Sequence, residues 1–346
     1  MNNTFEETEK RIISVFDSAG LTHVTSLRKL AGDASNRSYY RCYLESDKSY
    51  VVMVNAAPDK AIVSEEIAMH AKDFKELPFI NIHRYLAQLG IRVPAIHYHD
   101  ETQGILILDD LGDSLLGDII NQSGQSADLY KQAIDMLIGF QVGEEHVPQW
   151  CYARLNRFNR KLYDFEFYHF IEYGIEKAGI KLPHNTTVKL QKLFHKLSVR
   201  FERYSNIFVH RDYHSRNLLY SSGSLYTIDF QDALIGPPHY DIASLLRDAY
   251  VDLTDDFVDQ MLEYYLSKSP YASAGFRDIF TLVSIQRMLK AAGRFRYINL
   301  VKGNDKFMKY IPPLLQRVKR LSLSYNSDPP LGILAEVMDR IPVEYT

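Results

Sequence analysis

The sequence predicts a two-lobed α+β fold, with a small β-rich first lobe and a larger, mainly helical second lobe. Strand-like runs dominate the first third of the chain, an acidic connector follows at residues 109–113, and long helical patterns fill most of the remainder. Such a change from strand-like to helical sequence patterns is typical of separately packed units with a cleft between them. We therefore expect lobes at residues 1–108 and 114–346, joined by a hinge at 109–113.

The first lobe opens with a helix and continues with strands. A capping box at residues 4–7 precedes apolar residues at helical spacing, which end at Phe16. Runs rich in Val, Tyr and Leu then predict strands at residues 24–30, 39–44, 50–54 and 105–108. Helical spacing predicts two further helices in this lobe, at residues 62–74 and 79–89.

The second lobe is predicted to be mainly helical, with one strand-rich segment that we call the island. Apolar periodicity predicts helices at residues 127–141, 154–178, 185–204, 255–267, 276–300 and 306–323. The island spans residues 207–230. Within it, two short apolar runs flank residues 221–224, which predicts a β-hairpin with a four-residue loop.

Composition narrows the class of protein. The chain has 346 residues, 46% of them hydrophobic, and a formal net charge of −3, so it can bury a sizeable core and has no general attraction for nucleic acid. The only two cysteines, Cys42 and Cys151, indicate a reducing compartment. The polar N-terminus does not resemble a signal peptide, and no apolar run approaches the roughly 18 residues of a membrane span. We expect a cytoplasmic protein with neither nucleic-acid nor membrane partners.

The island opens with the most informative motif of the chain. His210-Arg211-Asp212 is followed, five residues after the aspartate, by Asn217. The pattern H-R-D-x-x-x-x-N is the catalytic-loop spacing of kinases, in which the Asp accepts a hydroxyl proton and the Asn holds a metal. The motif therefore predicts phosphoryl transfer with Asp212 as the base.

The predicted hairpin gives this motif a geometry. Asn217 enters one strand and Asp229 leaves the other, so their side chains are expected to meet at one end of the antiparallel pair. Amide and carboxylate oxygens are ligands that suit Mg²⁺. Each residue also has a structural alternative: Asp212 as a turn residue, Asn217 as a local hydrogen bonder and Asp229 as a strand-end cap. The motif, the hairpin and the following aspartate together favour a magnesium site at Asn217 and Asp229.

Three neighbouring side chains have supporting or open roles. His210 is expected to brace the loop rather than transfer protons. His214 fits substrate contact and simple packing equally well. Asp241 precedes an apolar helix and is compatible with an N-cap, although we favour a role in tying down the catalytic loop.

At these residues the chain resembles the aminoglycoside phosphotransferase and choline kinase group, a small-molecule branch of the protein-kinase-like fold. The match rests on residues 210–217, 228–230 and 236–246, and the order of elements follows it over nearly the whole chain. A narrower similarity is to the bacterial anomeric kinases of cell-wall recycling, which phosphorylate N-acetylmuramate and N-acetylglucosamine at C1. That similarity uses the segments at residues 30–39, 108–113, 229–233 and 244–248.

The resemblance implies an ATP- and Mg²⁺-dependent sugar kinase and assigns roles to the matching residues. Asp212 would be the catalytic base, with Asn217 and Asp229 as the Mg²⁺ ligands. A loop would cover the ATP phosphates, and the connector would bind adenine through its backbone. The cofactor-binding residues so implied are Gly32, Asp33, Ala34, Ser35 and Arg37 in the loop, and Asp109, Asp110 and Leu111 in the connector.

The chain departs from the family pattern in the way it would hold phosphate. The loop has a single glycine, Gly32, and the strand that should end in a phosphate-binding Lys carries Met53 instead. Positive charge on the phosphates is central to phosphoryl transfer. We therefore expect Arg37 to replace the missing cation, with Lys60 as the second candidate; the alternative for Arg37 is an exposed surface side chain.

The acceptor is expected to bind in the helical lobe. Its polar candidates are His214, Arg216, Gln231 and Arg247, together with Arg294 and Arg296 on a later helix, although for these last two a solvated helix face is favoured. An arginine there could pair with the lactyl carboxylate of N-acetylmuramate. Two alternatives stay open: a kinase for an aminoglycoside, choline or homoserine, and a nucleotide-binding pseudokinase scaffold, which Met53 favours.

Overall fold

The computed structural model describes residues 2–21, 23–30, 37–55 and 75–342. Within these ranges the chain forms one lobe around a five-stranded sheet and a second lobe made mainly of helices, which confirms the predicted α+β class. The helix predicted at 62–74 lies outside the described residues. So do the predicted phosphate-loop residues Gly32, Asp33, Ala34 and Ser35, and the cation candidate Lys60.

The first lobe is an antiparallel sheet with a helix against each face. Its strands are β1 (Val24–Lys29), β2 (Arg37–Leu44), β3 (Ser49–Asn55), β4 (Ile96–Asp100) and β5 (Ile105–Asp109), in the spatial order β1-β2-β3-β5-β4. Helix α1 (Asn2–Ser18) packs with Val52 of β3 on one face. Because successive strand residues point to opposite faces, Met53 lies on the other face, with helix α2 (Pro78–Gln88) and the core of the second lobe.

Strand β4 was missed by the sequence prediction. It pairs only with β5 and so forms an edge of the sheet, and none of its five residues is fully buried. An edge strand that packs little apolar surface does not need the alternating pattern by which strands are recognised. Its residues, two of which are histidines, therefore carry no strand signal.

The second lobe is built from nine helices in the described ranges. They are α3 (Leu116–Ser123), α4 (Ala127–Phe140), α5 (Arg160–His169), α6 (His184–Glu202), α7 (His239–Leu246), α8 (Asp255–Lys268), α9 (Phe276–Lys302), α10 (Ile311–Ser324) and α11 (Gly332–Arg340). Over these residues, no helix combines the length and apolarity needed to cross a membrane.

The prediction of one continuous helix over residues 154–178 is wrong, because the segment contains three different helical elements. The segment is a 3₁₀ turn at Tyr152–Leu155, then α5, then a π-helical turn at Phe170–Glu176. The π turn meets α9 at Gly293, where a Cβ would stand 2.8 Å from the backbone Cα of Phe170. Only glycine allows this approach, and apolar periodicity contains no signal for it.

The strand-rich island forms two short antiparallel pairs. β6 (Ile207–Val209) pairs with β9 (Leu234–Gly236), and β7 (Leu218–Ser221) pairs with β8 (Ser224–Thr227). The hairpin turn holds only Ser222 and Gly223, at φ 49° and 81°, so the four-residue loop prediction is wrong. Positive φ at both central residues is the two-residue turn whose twist matches the strands. Because Val209 pairs with Leu234, the segments leaving β6 and entering β9 lie side by side.

Arg41 of β2 fastens the proposed hinge, residues 109–113, to the sheet. Its Nη2 donates to Asp110 Oδ1 at 2.9 Å and its Nη1 to Asp113 Oδ2 at 2.7 Å. Ser49 Oγ also donates to Asp110 Oδ2, at 2.6 Å. The side chains of Arg41 and Asp110 are 7% exposed, whereas that of Asp113 is 69% exposed. We call these contacts the clamp. Its buried ion pair, Arg41 with Asp110, should therefore stabilise the protein more than the exposed pair of Arg41 with Asp113.

Replacing Asp110 by Ala should lower the free energy of unfolding by about 2 to 4 kcal/mol, because it removes a buried charged partner of Arg41. Asp113→Ala should cost less than about 1 kcal/mol, because that carboxylate is solvated. Urea denaturation of both variants, followed by circular dichroism, measures the difference. Equal losses in the two variants would contradict this account of the clamp.

Candidate active site

The catalytic loop, residues 210–217, is anchored by Asp241 in the first turn of α7. Asp241 Oδ2 accepts the backbone N–H of His210 at 2.7 Å, and Oδ1 accepts that of Arg211 at 2.9 Å. Burial raises the pKa of Asp241 to about 7, although the two backbone donors act in the opposite direction. Arg211 has φ 80°, a left-handed conformation that a residue with a side chain disfavours. The two bonds hold this strained backbone directly before Asp212.

Asp212 is held at the end of this anchored segment. Its main-chain oxygen accepts Asn217 Nδ2 at 2.9 Å, and its carboxylate Oδ1 lies 3.4 Å from Nη1 of Arg287 on α9. Burial acts to raise the pKa of Asp212, but the positive charges of Lys290, Arg287 and Arg211 outweigh it and hold that pKa well below its usual range. The side chain is 32% exposed. Asp212 is therefore ionised at neutral pH, and its carboxylate is partly open to solvent.

The three cations around Asp212, which we call the basic cluster, are Arg211, Arg287 and Lys290. Glu166 of α5 neutralises part of it: its Oε1 lies 3.3 Å from Arg211 Nη2 and 3.1 Å from Lys290 Nζ. Gln286 Nε2 donates to the other oxygen of Glu166 at 2.6 Å. The side chains of Arg211 and Glu166 are each 1% exposed. An opposing carboxylate is what makes such buried positive charge tolerable.

Sequence reasoning missed Glu166, Arg287 and Lys290, because they reach the loop from distant helices. A signal for two of them was present. Arg287 and Lys290 interrupt a stretch of α9 whose other residues are mostly buried and apolar. Charged residues are almost never buried unless they are paired, so charges inside a buried helix indicate a polar network.

The predicted metal ligands lie at the open end of the hairpin. Ile228 N–H donates to the main-chain oxygen of Asn217 at 3.0 Å, which brings the two segments together. The Asn217 amide nitrogen is engaged by Asp212, so its oxygen is the side-chain atom left for a cation. Asp229 is exposed, has φ 62°, and receives Gln231 Nε2 on Oδ1 at 2.8 Å. One amide oxygen and one carboxylate are a donor set that fits Mg²⁺.

His210 links the catalytic loop to the hairpin. Its side chain is fully buried, and its Nε2 lies 2.8 Å from Thr227 Oγ1 of β8. Burial lowers the pKa of His210 to about 4, so the ring is neutral at pH 7. This placement is that of a brace between the loop and the hairpin.

Arg37, the first residue of β2, faces the cleft between the lobes. It lines a narrow pocket with Met53, Asn55, Phe79 and Gln231, among others. Burial acts to lower the pKa of Arg37, but Tyr39 and two aspartates, Asp229 and Asp232, outweigh it and raise that pKa. Arg37 is therefore not an exposed surface side chain. It is a charged guanidinium held near the predicted metal ligand Asp229.

The connector side chains are engaged with the protein. Asp109 Oδ1 lies 2.6 Å from His97 Nε2, and its Oδ2 accepts the backbone N–H of Ala95 at 3.1 Å. Asp110 is held by Arg41 and Ser49. A nucleotide contact at Asp109 or Asp110 would therefore fall to the backbone, as the resemblance implies.

A cavity of about 130 Å³ opens beside Asp212 in the second lobe, and we call it the acceptor pocket. Four cations line it, from α9 and from the residue after α7: Arg247, Arg287, Lys290 and Arg294. Asp248 is the only carboxylate besides Asp212 that lines this cavity within the described residues. The pocket is therefore suited to a polar or anionic molecule rather than to a polycation.

The predicted substrate residues divide between this pocket and its surroundings. His214 and Arg247 line it. Arg216 does not: its guanidinium lies 4.0 Å from the ring centre of Tyr250, and its Nη2 donates to the Tyr310 hydroxyl at 2.9 Å. Gln231 does not line it either, and instead lines the cleft pocket together with Arg37.

Comparison with known proteins relates the chain to phosphoryl-transfer enzymes. The model of the phosphotransferase enzyme family matches residues 26–277. N-acetylmuramate/N-acetylglucosamine kinase of Neisseria meningitidis is 30% identical over 320 residues, covering 89% of both chains. The protein of the same name from Pseudomonas aeruginosa is 29% identical over 321 residues, covering 90% of this chain and 87% of its own.

Solved structures show the same fold at low sequence identity. A choline/ethanolamine kinase family protein from Mesorhizobium loti aligns with a TM-score of 0.60 at 14% identity, over 95% of this chain and 99% of its own. The aminoglycoside phosphotransferase APH(2″)-IIa, in a complex with streptomycin and ATP, aligns with a TM-score of 0.57 at 16% identity, over 90% and 95%. The kinase-like two-lobed fold predicted from the sequence is therefore confirmed.

His210 should make the protein less stable as the pH drops from about 6.5 to about 4, because the folded state keeps this ring neutral while the unfolded chain takes up a proton. His210→Asn should remove up to about 1.4 kcal/mol of this loss per pH unit. Urea denaturation at several pH values measures the slope. His146→Asn is the control, because that side chain is 74% exposed; the same slope in both variants would refute the assignment.

Proposed function

Because the chain belongs to the phosphotransferase enzyme family, as its sequence predicted, we propose that it transfers the γ-phosphoryl group of ATP to the C1 hydroxyl of N-acetylmuramate or N-acetylglucosamine. The observation that carries this proposal is the ionised carboxylate of Asp212 at the mouth of a pocket lined by four cations. The two relatives described above, which cover most of this chain, are named as kinases of these two sugars.

In the proposed reaction, Asp212 orients the sugar hydroxyl and takes its proton as the new O–P bond forms and the bond to ADP breaks. The basic cluster keeps this carboxylate ionised, which makes it a weak base but a permanent hydrogen-bond acceptor. An anomeric hydroxyl is more acidic than an ordinary alcohol, so a weak base suffices. Positioning is then the larger contribution of Asp212.

The phosphates of ATP would be held from both lobes. Asn217 and Asp229 would hold Mg²⁺, which when bound supplies positive charge against the phosphate oxygens. Arg37 would provide a second positive charge from the first lobe, since its planar guanidinium suits phosphate oxygens. Met53, at the position where the family carries Lys, is 1% exposed and packs in the apolar core.

The competing functions fit the site less well. Aminoglycosides and choline are cations, and the four cations of the acceptor pocket would repel them. Homoserine carries a carboxylate and stays compatible with the pocket charge. A pseudokinase scaffold would not need an ionised Asp212 opening on a pocket.

We propose a cytoplasmic location, with ATP and the sugar as the only partners. The cysteines at positions 42 and 151 are both free thiols and buried. Burial raises the pKa of Cys42 to about 12 and that of Cys151 to about 11. Inert, unpaired thiols are typical of a reducing compartment.

Asp212→Asn should lower kcat for sugar phosphorylation by about 10²- to 10⁴-fold, because it removes the group that takes the hydroxyl proton. Nucleotide binding should survive, since Asp212 is not predicted to hold the nucleotide. Transfer of labelled γ-phosphate from ATP to a panel of N-acetylmuramate, N-acetylglucosamine, choline, homoserine and kanamycin measures both activity and acceptor choice.

The control for this experiment is Asp259→Asn, because the Asp259 side chain is 65% exposed on α8. It should leave turnover unchanged. Transfer to choline or kanamycin in preference to the amino sugars would overturn the proposed acceptor. Nucleotide binding without transfer to any acceptor would favour the scaffold instead.

Arg37→Gln should raise the KM for ATP and lower kcat/KM for ATP by about 10- to 100-fold, the range for a lost hydrogen bond between charged groups. Arg28→Gln is the matched control, because Arg28 is 57% exposed on the neighbouring strand β1 and its ion pair within the described residues is with the solvated Asp113. Steady-state kinetics with ATP varied at saturating sugar distinguishes the two. Equal values of KM for ATP and of kcat/KM in the two variants would show that Arg37 does not contact the phosphates.

A further inference from the structure

Three of the four cations that line the acceptor pocket are already paired with carboxylates. Arg287 lies 3.4 Å from Asp212 and Lys290 lies 3.1 Å from Glu166. Arg247 Nη1 lies 2.6 Å from an oxygen of Asp255. The fourth cation, Arg294, has no carboxylate partner among the described residues.

Arg294 makes no ion pair with any carboxylate in the part of the chain that the structure describes. Its guanidinium carbon lies 5.0 Å from the ring centre of Tyr297, which is three residues further along α9. Residues three apart are neighbours on a helix surface, so the Tyr297 ring makes a cation–π contact with the Arg294 guanidinium. The hydrogen-bond donors of the guanidinium stay available to a molecule in the pocket.

The position of Arg294 along α9 places it away from the reacting atoms. Arg287 contacts Asp212, and Arg294 follows seven residues later. Seven residues are about two turns, so the two side chains leave the same face roughly 10 Å apart. An acceptor whose hydroxyl meets Asp212 would therefore present a more distant substituent to Arg294.

We propose that Arg294 determines acceptor specificity by binding a carboxylate of the acceptor sugar, and this inference rests on the proposed function. N-acetylmuramate is N-acetylglucosamine with a lactyl ether at C3, so the two sugars differ by one carboxylate that lies away from C1. A guanidinium binds a carboxylate through two parallel hydrogen bonds. Arg294 would thus recognise the lactyl group and take no part in the chemical step.

The partial exposure of Arg294 explains how one pocket accepts both sugars. A fully buried arginine without a partner would reject a neutral sugar, because its charge would be left unsolvated. Arg294 is only half-buried, so water solvates it when N-acetylglucosamine is bound. The acidic sugar gains an ion pair, whereas the neutral sugar loses nothing.

Arg294→Gln tests the inference, and Arg296→Gln is the matched control. Two residues along a helix correspond to a rotation of about 200°, and Arg296 accordingly contacts Asn299 and Met308 and does not line the pocket. Calorimetric titration gives the affinity of each protein for N-acetylmuramate and for its uncharged methyl ester. Steady-state kinetics gives kcat and KM for N-acetylmuramate and N-acetylglucosamine.

The wild type and Arg296→Gln should bind the acid about 10- to 100-fold more tightly than the ester, and Arg294→Gln should lose this preference to within about twofold. For N-acetylmuramate, KM should rise by the same factor while kcat changes little, as for a lost binding contact. For N-acetylglucosamine, both constants should stay within about twofold of the wild type.

A preference for the acid that persists in Arg294→Gln would overturn the inference, as would equal losses for the two sugars. A wild type that binds the acid and the ester equally well, or binds neither, would overturn it too. Failure of the proposed function has a different signature: a wild type that prefers the acid in binding but transfers phosphate to neither sugar. In that case the binding measurements still decide the role of Arg294.

Discussion

The carboxylate of Asp241 holds the catalytic loop in a shape that the loop itself disfavours. Arg211 adopts φ 80°, a conformation that costs a residue with a side chain about 1 to 2 kcal/mol. The two backbone hydrogen bonds from His210 and Arg211 to Asp241 offset this cost in a fully buried setting. Because the loop turns here, the Arg211 side chain lies in the buried cluster with Glu166, while Asp212 opens on the acceptor pocket.

The charges beneath this loop explain the character of the pocket. Arg211, Arg287 and Lys290 face two carboxylates, Glu166 and Asp212. The positive charges of this cluster lower the pKa of Asp212 and favour anionic groups nearby. In the proposed reaction, the same cluster would keep the base ionised and attract the transferred phosphoryl group.

The sequence could predict much of the candidate site because three of its proposed residues lie within one short segment. Asp212, Asn217 and Asp229 are connected by a single hairpin, and local pairing alone brings the last two together. The departure at Met53 was also visible in the sequence, and Arg37 could be proposed from the sequence as its substitute. What the sequence could not supply was the environment of Arg37, since its position near Asp229 depends on how the first lobe meets the second.

By itself, then, the sequence determined the two-lobed class and the family, and it singled out the segment that we propose to be catalytic, because periodicity and motif spacing are local properties of the chain. Only the tertiary structure decided which distant side chains surround that segment. Glu166 comes from α5, and Arg287, Lys290 and Arg294 come from α9. Their approach depends on helix packing, including the backbone contact at Gly293, and no local pattern encodes which helices will face each other.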